Sequence, residues 1–128
     1  MILVTGGKSQ GKLKFVIEHF KPNEIIDGSD CVLSILKNAE CVMNYQLLIK
    51  RLMLENRDTV EFTKKFCAEN QNAVIIMNEV GSGIIPIEKL EREWRENVGR
   101  CGCIIAKNSD TVIRMTCGIP TVIKGKSI

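Results

Sequence analysis

The sequence predicts a single α/β domain with a mostly parallel sheet, a glycine-rich phosphate loop near its start and a pair of strands at its end. Three observations predict it. Short apolar, β-rich runs alternate along the chain with longer amphipathic stretches. One run, Ala73-Val74-Ile75-Ile76-Met77, is apolar throughout, as a parallel strand covered on both faces must be. A loop of the form G-x-x-x-x-G-K joins the first apolar run to the first amphipathic stretch. At 128 residues the chain has the length of one domain, residues 1–128, with a core of useful size.

Taken in order, Ile2-Leu3-Val4-Thr5 reads as a buried strand ended by Gly6-Gly7. Residues 11–20 read as a helix with Leu13, Val16, Ile17 and Phe20 as its apolar stripe, stopped by Pro22. Glu24-Ile25-Ile26-Asp27 is a short second strand, and Asp27-Gly28-Ser29-Asp30 a polar turn. One or two helices are expected between residues 32 and 54. Another, capped by Asp58 or Thr59, runs to Glu69 with Val60, Thr63, Phe66 and Cys67 inward. After the central strand at 73–77, Pro86 opens a long helix to Lys107. Its stripe is Leu90, Trp94, Val98, Cys101 and Ile105, and its Glu91, Arg92, Glu93, Arg95 and Glu96 face reads as solvated. Strands at 111–117 and 121–124, joined by Gly118-Ile119-Pro120, close the domain.

Composition argues against several classes. A net charge of +3 spread among acids, with 5% aromatic residues, lacks the clustered basic stripe of a nucleic-acid-binding surface. No apolar run approaches the roughly 18 residues that cross a bilayer, and the start of the chain does not read as a signal peptide. The six cysteines (Cys31, Cys41, Cys67, Cys101, Cys103, Cys117) show no C-x-x-C spacing and have a single histidine beside them. They read as reduced core thiols, and a cytoplasmic address is the expectation.

Gly6-Gly7-Lys8-Ser9-Gln10-Gly11-Lys12-Leu13 carries the chemistry. Glycines let successive backbone N–H groups curl around phosphate oxygens, and the helix that follows adds its positive end. Lys12 supplies a point charge for the terminal phosphates. Leu13 departs from the pattern, because a Ser or Thr hydroxyl there ligates magnesium. Any magnesium requirement is therefore in question, while ATP or GTP remains the expected ligand.

A second constellation, Asn78-Glu79-Val80-Gly81-Ser82-Gly83-Ile84-Ile85-Pro86, follows the central strand at the edge where open α/β sheets bind ligands. Glu79 is a candidate to orient a metal-bound water or accept a proton; the alternative is a plain strand-to-helix connection. Asp27, ending the second strand, is a candidate metal-associated carboxylate or else ordinary turn chemistry.

The opening Ile2 to Lys12, the loop Asn78-Glu79-Val80-Gly81-Ser82-Gly83-Ile84-Ile85-Pro86, the Val98-Gly99-Arg100 stretch and Gly118-Ile119-Pro120 together resemble the adenosylcobinamide kinase/adenosylcobinamide-phosphate guanylyltransferase family. The nine-residue loop is the most specific part of the likeness. The resemblance implies a RecA-like, three-layer P-loop domain, trimeric in many members, acting in cobalamin biosynthesis. It implies phosphoryl transfer from ATP or GTP to the hydroxyl of a corrinoid, then guanylyl transfer through a histidine. By position, Gly6 through Lys12 would hold the nucleotide phosphates, Glu79 would lie near them, and Asp27 would match a strand-end aspartate.

The chain also departs from that family. It lacks the longer segment that bears the guanylylated histidine, and its one histidine, His19, lies on the first helix. The guanylyl-transfer role is not carried over to His19. A non-catalytic, nucleotide-binding regulatory or assembly subunit is the competing expectation.

Overall fold

The computed structural model describes residues 1–80 and 88–127. The first apolar run forms β1 (Ile2–Gly6), and the stretch after the glycine loop forms α1 (Lys12–Phe20). A short strand β2 (Ile26–Asp27) and a 3-10 turn at Leu33–Ile35 lead to β3 (Cys41–Met43) and α2 (Tyr45–Leu54). Then come α3 (Thr59–Glu69), β4 (Val74–Asn78), α4 (Lys89–Asn108) and a hairpin of β5 (Thr111–Thr116) and β6 (Ile119–Lys124).

The strands form one sheet in the order β2-β3-β4-β1-β5-β6. Every neighbouring pair is parallel except β5 with β6. Successive residues of a strand face opposite sides, so a run apolar throughout feeds two cores. Leu3, Ile75 and Val112 pack beneath Leu48, Ile49, Leu52, Phe66, Val98 and Ile105 of α2, α3 and α4. Val4, Ile76, Ile113 and Met115 face the other way and meet Val16 of α1. The result is a three-layer α/β domain of RecA-like, P-loop type, with, among the described residues, α1 on one face and α2, α3 and α4 on the other.

Polar contacts fix the helices where packing alone is non-directional. Asp58 caps α3 by accepting the backbone N–H groups of Val60 and Glu61 at 3.1 Å each. The Tyr45 hydroxyl and the Thr63 hydroxyl, both buried, share a 2.8 Å hydrogen bond that ties α2 to α3. The Trp94 indole N–H donates to the Gln46 carbonyl at 2.8 Å, and the Lys50 ammonium stacks over the same ring while pairing with Glu91 at 2.9 Å.

Several expectations need correction. The span 32–54 holds a 3-10 turn, a strand and one helix, because Cys41 and Val42 pair with β4 while Val42 and Met43 pair with β2. Leu13 and Ile17 face outward on α1, whose single line of burial runs through Lys12 and Val16. Leu90 is likewise exposed, and Glu91 joins the contact with α2 instead of standing in solvent. The strand expected from Glu24 begins at Ile26, and the hairpin turn is Cys117-Gly118, with Pro120 inside the edge strand β6, where a missing N–H is tolerated. Four cysteines are buried and free, but Cys103 and Cys117 are exposed, so not all six are core thiols. The expected helix start at Pro86 lies outside the described residues.

Candidate functional site: the phosphate loop

The loop begins where β1 runs out. Gly6 has φ 148°, and a Cβ there would sit 2.5 Å from the Met115 carbonyl oxygen of β5. Only glycine lets the chain turn that close to its neighbouring strand. Ser9 and Gly11 both take positive φ, 60° and 87°, which curls residues 6–11 back toward α1. Gly11 serves as the N-cap of α1 and offers no side-chain oxygen, and the first turn carries no acidic residue. The helix N–H groups at the loop therefore keep their capacity to bind an anion.

Lys12 is 5% exposed, and its ammonium donates to the Gly7 carbonyl at 2.5 Å. Burial lowers its pKa from the ordinary lysine value, and the nearby Glu79 carboxylate works against the fall. The ammonium is thus folded into its own loop, on a neutral carbonyl that a phosphate oxygen outcompetes as a partner.

Two supports hold this loop, and neither is visible in the motif. On one side the β5–β6 turn closes on Gln10: its side-chain oxygen accepts the Cys117 N–H at 2.6 Å, and its carbonyl accepts the Gly118 N–H at 3.0 Å. On the other side the Glu79 N–H donates to the Gly6 carbonyl at 2.8 Å. The Glu79 carboxylate accepts both arms of Arg114, from Nε at 2.9 Å and from Nη2 at 3.0 Å. Because β4 and β5 flank β1, that pair bridges the root of the loop.

The expected site residues divide into three groups. Gly6, Gly7, Lys8, Ser9, Gln10, Gly11 and Lys12 form one continuous loop, and Glu79 joins it. Leu13 sits in the first turn of α1, 37% exposed, with no oxygen to offer a metal. Among the described residues, no group of three or more His, Cys, Asp or Glu side chains converges to hold a metal ion. The residues present do not fit a magnesium anchor at position 13.

Asp27 stands apart from the loop. It ends β2, three strands from β1, about 14 Å at ordinary strand spacing. Its Oδ1 accepts the Ser29 N–H at 2.9 Å, the Ser29 hydroxyl at 2.7 Å and Asn44 Nδ2 at 3.0 Å. Burial alone would raise its pKa, but these hydrogen bonds outweigh it and hold the carboxyl below the usual value.

Between Asp27 and the loop lies a row of amides, of which Asn44 and Gln46 belong to no sequence motif. Asn44 follows β3 as the N-cap of α2 in a left-handed conformation (φ 57°), and buried Gln46 accepts the Asn78 N–H at 3.0 Å. Arg51 holds the β2 turn by donating to the Gly28 and Cys31 carbonyls, both at 2.8 Å. A cavity of about 700 Å3 lies elsewhere, between the 3-10 turn and α3, lined by Leu33, Leu36, Phe62 and Phe66 under a charged rim. It includes none of the loop residues.

Sheet order, glycine loop and buried lysine together define a P-loop α/β domain. A family model for cobinamide kinase / cobinamide phosphate guanyltransferase matches residues 29–123, well over half of the chain, and the chain belongs to that family. The match takes in Glu79, Asn44 and Arg114 but begins after the phosphate loop, whose assignment rests on its own pattern and geometry. No match was found among curated proteins. The family supports a role in cobalamin biosynthesis of the kinase or nucleotidyltransferase kind.

Proposed function

We propose that residues 6–12 bind the terminal phosphates of ATP or GTP and that the protein transfers the γ-phosphoryl group to a hydroxyl of a cobinamide-type corrinoid. The observation that carries this reading is Lys12: a buried ammonium parked on the loop's own carbonyl, with a carboxylate beside it. In the transfer, the hydroxyl oxygen forms the new bond to the γ-phosphorus as the bond to the β-phosphate oxygen breaks. The nucleoside diphosphate leaves, and the hydroxyl proton passes to Glu79 or to water. The loop and helix end would hold the phosphates in line, and Lys12 would offset charge gathering on them. Corrinoid recognition would fall to the amide row of Asn44, Gln46 and Asn78 along the same sheet edge. Guanylyl transfer is left out, since His19 lies exposed on α1.

Leu13 favours a second reading, a nucleotide-binding member without turnover. Calorimetric titration with GTP and ATP, with and without magnesium and beside Lys12→Ala, tests the binding. Incubation with cobinamide and either nucleotide then tests the transfer. Binding abolished by Lys12→Ala together with phosphorylated cobinamide supports the kinase. Binding without product supports the second reading, and no binding at all overturns both.

A further inference from the structure

Arg114 lies opposite Thr5 of β1 in the β1–β5 register, and its guanidinium reaches past the end of β1 to Glu79 after β4. The contact is fork to fork, 2.9 Å and 3.0 Å, so both carboxylate oxygens are taken. The pair is open to solvent, with side chains 55% and 33% exposed, and surface pairs of this kind contribute little to stability. Its significance lies in what else is close: Glu79 is tied through its N–H to the Gly6 carbonyl at 2.8 Å, and the Lys12 ammonium rests on the carbonyl of the next residue, Gly7, at 2.5 Å. A carboxylate that swung onto Lys12 would supply the anion that a phosphate must supply. The phosphate-loop pattern does not call for an arginine on β5, yet here one holds that carboxylate in a fixed, planar grip.

We propose that Arg114 is a positioning residue: by clamping Glu79 it keeps the carboxylate from pairing with Lys12 and leaves the ammonium available to an incoming phosphate. This rests on the reading that the loop binds nucleotide phosphates. Without Arg114 the loop inhibits itself, and the inhibition lies in the Glu79 charge.

The test is calorimetric titration of the full chain with GTP and with ATP at fixed ionic strength, using wild type, Lys12→Ala, Arg114→Ala, Arg114→Lys, Glu79→Gln and the Arg114→Ala/Glu79→Gln double variant. Arg114→Ala is expected to bind about tenfold more weakly, and Arg114→Lys to fall between it and wild type. Removing the Glu79 charge in the double variant should restore affinity to within about threefold of wild type, a rescue that no general loosening of the fold produces. An unchanged affinity for Arg114→Ala overturns the proposal. So does a double variant as weak as Arg114→Ala, which would make the arginine a direct phosphate contact. If Arg114→Ala fails to fold, Arg114→Lys with and without Glu79→Gln decides in the same way. Nucleotide binding lost in Lys12→Ala but insensitive to Arg114 sinks the positioning role alone; wild type that binds neither nucleotide sinks the phosphate-loop reading with it.

Discussion

Lys12 gives up most of its hydration to rest against the Gly7 carbonyl, which makes it a poor contributor to stability and a well-placed one for binding. Lys12→Met is therefore expected to leave the denaturant midpoint unchanged or slightly raised, while nucleotide affinity falls by about 30-fold or more, the usual cost of deleting one partner from a buried charge contact. Paired urea melts and titrations check this. Leu13 calls for the opposite experiment. Wild-type nucleotide affinity is expected to shift by less than about threefold when magnesium is removed, whereas Leu13→Thr restores the hydroxyl and makes affinity metal-dependent. Leu13 is partly exposed, so the change should cost less than about 1 kcal/mol of stability in a thermal melt. At this scale the sequence disclosed the residues that a fixed spacing ties together, Gly6 through Lys12. It did not disclose Arg114, Gln10 as a bridge, or the Asn44–Gln46–Asn78 row. Those roles depend on which strands become neighbours, and spacing along the chain says nothing about that.

The elements were legible wherever a run was long enough to show its period. The central strand, α3 with its Asp58 cap, and α4 stand close to where their patterns predict them. The cap can be tested alone: Asp58→Ala leaves two first-turn N–H groups without their acceptor and is expected to cost about 1 kcal/mol, read from the urea midpoint. By contrast β3 has three residues between a charged and a polar neighbour, too few for any periodicity to register. Its existence is imposed by the sheet, since without Val42 and Met43 the edge strand β2 would have nothing to pair with. The outward turn of Leu13 and Ile17 has a related cause. A lone helix over a narrow strip of sheet buries one line of side chains, here Lys12 and Val16, and a sequence stripe cannot reveal how wide its partner surface will be.

For the molecule as a whole, the two cores are sensitive to alkali. Burial pushes the Cys41 and Cys67 thiols from an ordinary value of 9.0 up to about 11. Their folded pKa values lie above the unfolded ones, so their contribution is complete below pH 9 and is lost as pH rises toward 11. The expected fall in stability is of the order of 1–3 kcal/mol per thiol across that window. Urea midpoints at several pH values between 8 and 11 check this, and Cys41→Ala/Cys67→Ala should flatten the slope, whatever the substitutions cost at neutral pH. One further consequence follows from where the glycine loop finds its supports. Gly6 leans on Met115, and Gln10 receives the N–H groups of Cys117 and Gly118, more than a hundred residues downstream. On the ribosome the glycine loop is thus made well before the hairpin that completes it. A nascent chain that stops short of β5 and β6 has the motif but not the walls that shape it, so its loop is expected to be unformed until that hairpin has emerged.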